Sequence, residues 1–186
     1  MALPSLEFLC DSLVAILLDY YGIDQPPVPI RDILRSPPPD LTGDLSLVEG
    51  LPFNDALWIR LPNGQGKVFA NLDISEHERR YAMARSLFTG LCYTKGGRAA
   101  GLPYAPNDNL NAQATFFARR LLIPDDLLPP DWQAMPLGEL AALFVAQTEC
   151  STPLRADCLD VGSPYPTLGR AHPFYAPGRE NGPPFG

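Results

Sequence analysis

Few side chains in this sequence have the chemistry of a metal site or an acid–base pair, and their spacing decides which are worth following. His77-Glu78-Arg79-Arg80-Tyr81 is an H-E-x-x-Y string. It falls one histidine short of H-E-x-x-H, in which two histidines four apart share a helix face and hold zinc while the glutamate serves as base. Without that second histidine it reads as the solvated first turn of a helix. His172 lies in a Pro- and Gly-rich stretch and reads as a surface residue. Cys10, Cys92, Cys150 and Cys158 show no C-x-x-C spacing and read as reduced thiols, with Cys150 and Cys158 alone close in sequence. Cys92 has the character of a soft-metal ligand, but a buried structural thiol is the commoner outcome for an isolated cysteine.

Charge is distributed unevenly. Between Arg79 and Arg120 there are seven basic residues and one acid, Asp108, in a chain whose formal net charge is -7. An acidic body around a basic middle is unlike a general nucleic-acid binder, whose domain would be basic overall. We read the basic helices as pairing with acidic neighbours of the same fold. The sharper alternative is a local anion-binding patch.

The elements that must position these residues follow from periodicity and punctuation. Leu6 to Tyr21 carries apolar residues at three- and four-residue spacing and stops at Gly22, which predicts a helix. Pro26, Pro27 and Pro29 make a rigid connection to a short helix over Ile30 to Arg35, closed by Pro37-Pro38-Pro39. Leu45 to Val48 is a weak strand. Two β-prone runs, Ala56 to Leu61 and Lys67 to Asn71, flank a Pro/Asn/Gly loop and predict a hairpin. Asp73 or Ser75 is placed to cap a helix running to about Cys92, with Glu76 and Glu78 in its first turn. Gly96 to Asp108 reads as loop, Asn109 to Leu122 as helix ended by Pro124, and Asp125 to Leu128 as a short helical turn. Leu137 to Gln147 and Thr152 to Leu159 read as a closing helix pair, and from Gly162 onward Pro and Gly density predicts irregular structure. Trp58, Phe69, Phe88, Phe116, Phe117 and Phe144 are the expected aromatic core.

An apolar share of 46% and a charged share of 19% are those of a globular protein. The stretch Leu3 to Tyr21 is broken by Glu7, Asp11 and Asp19, and no apolar run reaches spanning length. With no basic n-region or cleavage site either, the expected compartment is the cytoplasm and no membrane contact is expected.

Four segments in order resemble the ImmA/IrrE family of zinc-dependent peptidases. Val68-Phe69-Ala70-Asn71 followed by Arg79-Arg80-Tyr81-Ala82-Met83-Ala84 is similar to that family's passage from strand to zinc helix. Asn111 to Pro124, with its A-x-x-F-A-x-x-L-L-I-P run, resembles the third-ligand helix, and is the most specific part of the match. Leu137 to Val145 with Thr152 to Gly162 resembles the closing helix pair, and the prolines near Pro29 sit where the short second helix begins. The likeness covers roughly residues 5–162.

The departures fall on the functional positions. Where the family has His, Glu and His, this chain has Arg85, Ser86 and Thr89; where it has the third ligand, usually Glu, this chain has Asn111. A catalytic zinc needs three protein ligands, an open position and a carboxylate base. Arginine is a donor only, serine is no base near neutral pH, and an asparagine amide is a poor ligand. The His77 string lies two turns too early to replace them, and Asp108, one turn before Asn111, brings no partners for a rebuilt site. The resemblance therefore implies an α+β, zincin-like domain over residues 1–161, a small mostly antiparallel sheet packed on central helices, and an irregular tail over 162–186. It implies no zinc or other cofactor, and a candidate ligand or partner cleft of Arg85, Ser86, Thr89, Asn111 and Arg119, which the tail is placed to cross. The expected function is non-catalytic recognition of a protein partner, with helix-turn-helix repressor-type regulators, on which family members act, as the class implied. The alternatives are a peptidase with a non-standard metal site and a small anion-binding module built on Arg85.

Overall fold

The structure, a computed structural model, describes residues 5–43, 45–50, 55–103 and 109–144. Helix α1 (Leu6–Tyr21) starts where Ser5 Oγ accepts from Phe8 N at 3.3 Å. It stops at Gly22, whose φ of 60° lets its N–H reach the carbonyls of Leu18 and Asp19. Cys10, Leu13, Val14, Leu17 and Leu18 make its buried face, the stripe that helical spacing predicts. Helix α2 (Ile30–Arg35) buries Ile30, Ile33 and Leu34. The proline run then opens a further helix as well as closing α2. Pro39 occupies the first turn of a one-turn helix α3 (Pro39–Thr42), where its missing N–H costs nothing.

Strands β1 (Ser46–Glu49), β2 (Ala56–Arg60) and β3 (Gly66–Ala70) form one sheet in the order β1-β3-β2. The expected hairpin is present, from Ala56 opposite Ala70 to Arg60 opposite Gly66. The sheet is mixed rather than mostly antiparallel, because β1 runs parallel to β3. A tight hairpin imposes antiparallel pairing only on the strands it joins. It leaves open the direction of the strand on the other side of β3.

Helix α4 (Glu76–Tyr93) is the axis of the fold. Its capping box pairs Ser75 with Glu78, whose carboxylate accepts from Ser75 N at 3.1 Å. From Ala82 to Cys92 only Arg85 and Thr89 are not buried, so this helix is covered nearly all round. Phe88 meets Phe117 of α6 (Leu110–Leu122) with ring centroids 5.2 Å apart, and Gly90 lets Trp58 of β2 press against the helix backbone.

A short helix α5 (Lys95–Ala99) lies where a loop was expected. Gly96 and Gly97 argue against helix by propensity, but here they permit contact. A Cβ on Gly96 would stand 2.1 Å from Asp40 O, and one on Gly97 2.1 Å from Leu91 O. After α6, Pro124 starts a 3-10 turn (Asp125–Leu127), and α7 (Leu137–Phe144) follows. The expected continuation of that helix beyond residue 144, its partner over 152–159 and the tail lie outside the described residues.

Of the six expected core aromatics, Phe88, Phe117 and Phe144 are fully buried, while Trp58, Phe69 and Phe116 are half-buried. The molecule is α+β, and among the described residues no helix is long and apolar enough to cross a membrane.

Candidate functional site

Arg85, Ser86 and Thr89 lie together on the middle of α4, and α6 carries Asn111 and Arg119. Helical spacing puts Arg85 and Thr89 on one face. Thr89 Oγ1 donates to the Arg85 carbonyl at 3.1 Å, a back-bond along the helix that commits its proton. Ser86 is buried on the sheet side, four residues before the Gly90 that faces Trp58. The Arg85 guanidinium lies over the Tyr81 ring, 5.9 Å from its centroid, with Nη1 4.0 Å from Asp55 Oδ2. Its Nε is buried without an acceptor among the described residues. Arg85 is thus anchored by one long ion pair and one aromatic face, and much of its donor fork is uncommitted.

Asn111 is exposed in the first turn of α6 and makes no hydrogen bond to Arg85, Ser86 or Thr89. Arg119, in the last turn of the same helix, is half-buried. The five candidate residues therefore do not form a single hydrogen-bonded cluster. What joins α4 to α6 is apolar, centred on Phe88 against Phe117.

These residues do not fit a catalytic zinc. A guanidinium stays protonated and repels the cation, the Thr89 hydroxyl is neutral, and Asn111 offers an uncharged amide. Among the described residues no three His, Cys, Asp or Glu side chains are grouped to hold a metal ion.

The His77-Glu78 string is a cap. Glu78 accepts from both the backbone N–H and the hydroxyl of Ser75, and these donors hold its carboxyl below the usual range. His77 Nε2 lies 3.1 Å from the same hydroxyl. Cys10 and Cys92 are fully buried, and burial pushes both thiols up to about 12, so neither is a ready nucleophile or ligand. Asp108, Cys150, Cys158 and His172 lie outside the described residues.

The basic middle is largely internally paired. Arg79 bonds Glu76, and Arg120 lies 3.3 Å from Asp11 and also bonds Asp125. Arg80 is buried and donates to Val28 O at 2.7 Å, with desolvation lowering its pKa. Sequence reasoning missed Asp55 and Tyr81 as neighbours of Arg85. Tyr81 was recoverable, since it lies four residues earlier on the same helix. Asp55 was not, because only the packing of β2 on α4 brings it near.

No family model matches the chain, and no curated protein matches it. A solved structure described as a Mycobacterium tuberculosis transcriptional regulator is similar over 77% of this chain and 49% of its own, with a TM-score of 0.47 and 13% identity. The chain spans about half the length of that protein. A likeness this distant assigns neither fold nor activity.

Proposed function

We propose that this chain is a zincin-like domain of the ImmA/IrrE type in which metallopeptidase chemistry has been replaced, and that it grips a protein partner without cutting it. The observation that carries this reading is the cluster on α4. Arg85, Ser86 and Thr89 stand at the positions that the resemblance assigns to ligand, base and ligand, and none of them has the chemistry for that role. In their place the helix offers a guanidinium with uncommitted donors beside Tyr81 and Asp55. Such a group suits an acidic side chain on a folded partner. The partner class follows from the family resembled: a helix-turn-helix regulator, held or sequestered rather than cleaved.

The test pairs purified chain with a purified helix-turn-helix repressor. Calorimetry reads binding, and mass spectrometry reads the repressor's integrity after incubation with and without zinc. Binding with an intact repressor in both arms, and only trace zinc by elemental analysis, is the expected result. Stoichiometric zinc together with chelator-sensitive cleavage overturns the reading and favours a peptidase with a non-standard metal site.

A second reading is favoured by the orphaned Arg85 Nε and its long contact with Asp55: a small anion-binding module. A thermal-shift screen with phosphate and dicarboxylates tests it. Stabilisation that disappears in Arg85→Gln supports it, and stabilisation unchanged in that variant removes it.

A further inference from the structure

Away from Arg85, the described residues line a half-open cleft of about 500 Å³ between α3, the loop end of the β2–β3 hairpin and the corner where α4 meets α5. That volume falls among those of small-molecule sites. None of Arg85, Ser86, Thr89, Asn111 or Arg119 lines it. Its walls are of two kinds. One is aromatic: Trp58 stacks on Tyr93 with centroids 4.2 Å apart and planes at 21°. The other is cationic: among the described residues Arg60, Lys95 and Arg98 stand against one acid, Asp40. In a chain of net charge -7 this is a local reversal of sign. Arg60 and Lys95 are exposed and take part in no ion pair among the described residues.

The walls are held in place by contacts that leave little room for adjustment. Thr94 Oγ1 donates to Leu41 O at 2.8 Å and accepts from Gly97 N at 2.9 Å, tying α5 to α3. The Gly96 backbone packs on Asp40 so closely that a Cβ there would stand 2.1 Å from its carbonyl oxygen. Lys95 is therefore presented from a fixed backbone. On the opposite side the Trp58 edge is wedged between Gly66 and Gly90, where a Cβ would come within 3.0 and 2.8 Å of the ring. Its indole Nε1 is buried and has no acceptor among the described residues.

We propose that this cleft binds a small anion carrying a flat ring, of the size and chemistry of a mononucleotide. The phosphate lies toward Arg60 and Lys95 and the ring against the Trp58–Tyr93 wall. Charge-assisted bonds to phosphate supply orientation and the aromatic wall supplies apolar contact.

Trp58 is its own reporter. The chain has two tryptophans, so Trp132→Phe leaves Trp58 alone to fluoresce. Titrating that variant at low salt with adenosine monophosphate, adenosine and inorganic phosphate separates the two halves of the proposal. A saturable change with the monophosphate is expected, with weaker binding of adenosine and of phosphate. Arg60→Gln and Lys95→Gln, both exposed and read alongside circular dichroism to confirm folding, are each expected to weaken the monophosphate about tenfold. Added salt is expected to weaken it further. No saturable change up to about 10 mM overturns the proposal, as does unchanged affinity in both charge variants. Phosphate binding as tightly as the monophosphate removes the ring from it.

Discussion

The α4 cluster shows how the identity of single residues sets what a position can do. Arg85 donates and cannot accept, and Thr89 has spent its proton on the Arg85 carbonyl. The buried thiols are a second case. Cys10 and Cys92 are both raised to about 12, chiefly by burial, from an ordinary value of 9.0. The folded state thus keeps protons that the unfolded chain releases above that ordinary value. The thiols' contribution to stability is complete below pH 9 and is lost as pH rises toward about 12. With Cys150 and Cys158 changed to serine, the native chain at pH 8 is expected to leave both remaining thiols unreacted toward a disulfide reagent, while the urea-unfolded chain reacts at both. Rapid native labelling would falsify the burial of either.

At the scale of elements, two contacts explain how the sheet is held to its helices. Glu49 at the end of β1 accepts from Arg31 Nη2 at 2.9 Å and from Arg35 Nη2 at 3.0 Å, so one carboxylate fastens α2 to the sheet. The bond from Arg31, foremost, and that from Arg35 hold its carboxyl below the usual value of 4.5. A depressed folded pKa means stabilisation that is full above the ordinary value and is lost as pH falls through the folded one. Both arginines are half-exposed, so solvent screening keeps the effect small. Glu49→Gln is expected to cost about 0.5–1 kcal/mol in urea unfolding at pH 7, with the difference from the parent shrinking in acid. The second contact is Gly90 under Trp58. Alanine there gains roughly 1 kcal/mol of helix propensity. Its Cβ, however, would meet Trp58 Cδ1 at 2.8 Å and Leu45 Cδ1 at 3.0 Å, with the ring already held by Gly66 and Tyr93. Overpacking of about 1–3 kcal/mol outweighs the gain, so Gly90→Ala is expected to lower the melting temperature. A rise would show that the ring moves freely. Helix α5 teaches the complementary lesson. Its glycines read as loop because propensity is local, whereas their use, close approach to α3 and to Leu91, exists only in the folded chain.

For the whole molecule, the zincin-like reading makes a demand on the frame and not only on the site. If α4 and α6 keep the geometry that the resemblance implies, Arg85→His, Ser86→Glu, Thr89→His and Asn111→Glu together should recover stoichiometric zinc, measured by elemental analysis after dialysis. A folded quadruple variant that holds none would remove the zincin-like assignment while leaving the α+β fold untouched. Caps, prolines, glycine stops and apolar period are local signals, and they place helices α1, α2, α4 and α6 and the hairpin nearly to the residue. Side-chain type alone also shows that Arg85, Ser86 and Thr89 include no His, Cys or carboxylate of the kind that holds a catalytic zinc. Long-range packing, by contrast, is what sets β1 parallel to β3, turns Arg85 to Asp55 rather than to Asn111, and gathers Trp58, Tyr93, Arg60 and Lys95 around one cleft. Each of those joins residues many positions apart, and such contacts are fixed by how the apolar faces of α4 are shared among the sheet, α2 and α6 and leave no periodic trace in the chain.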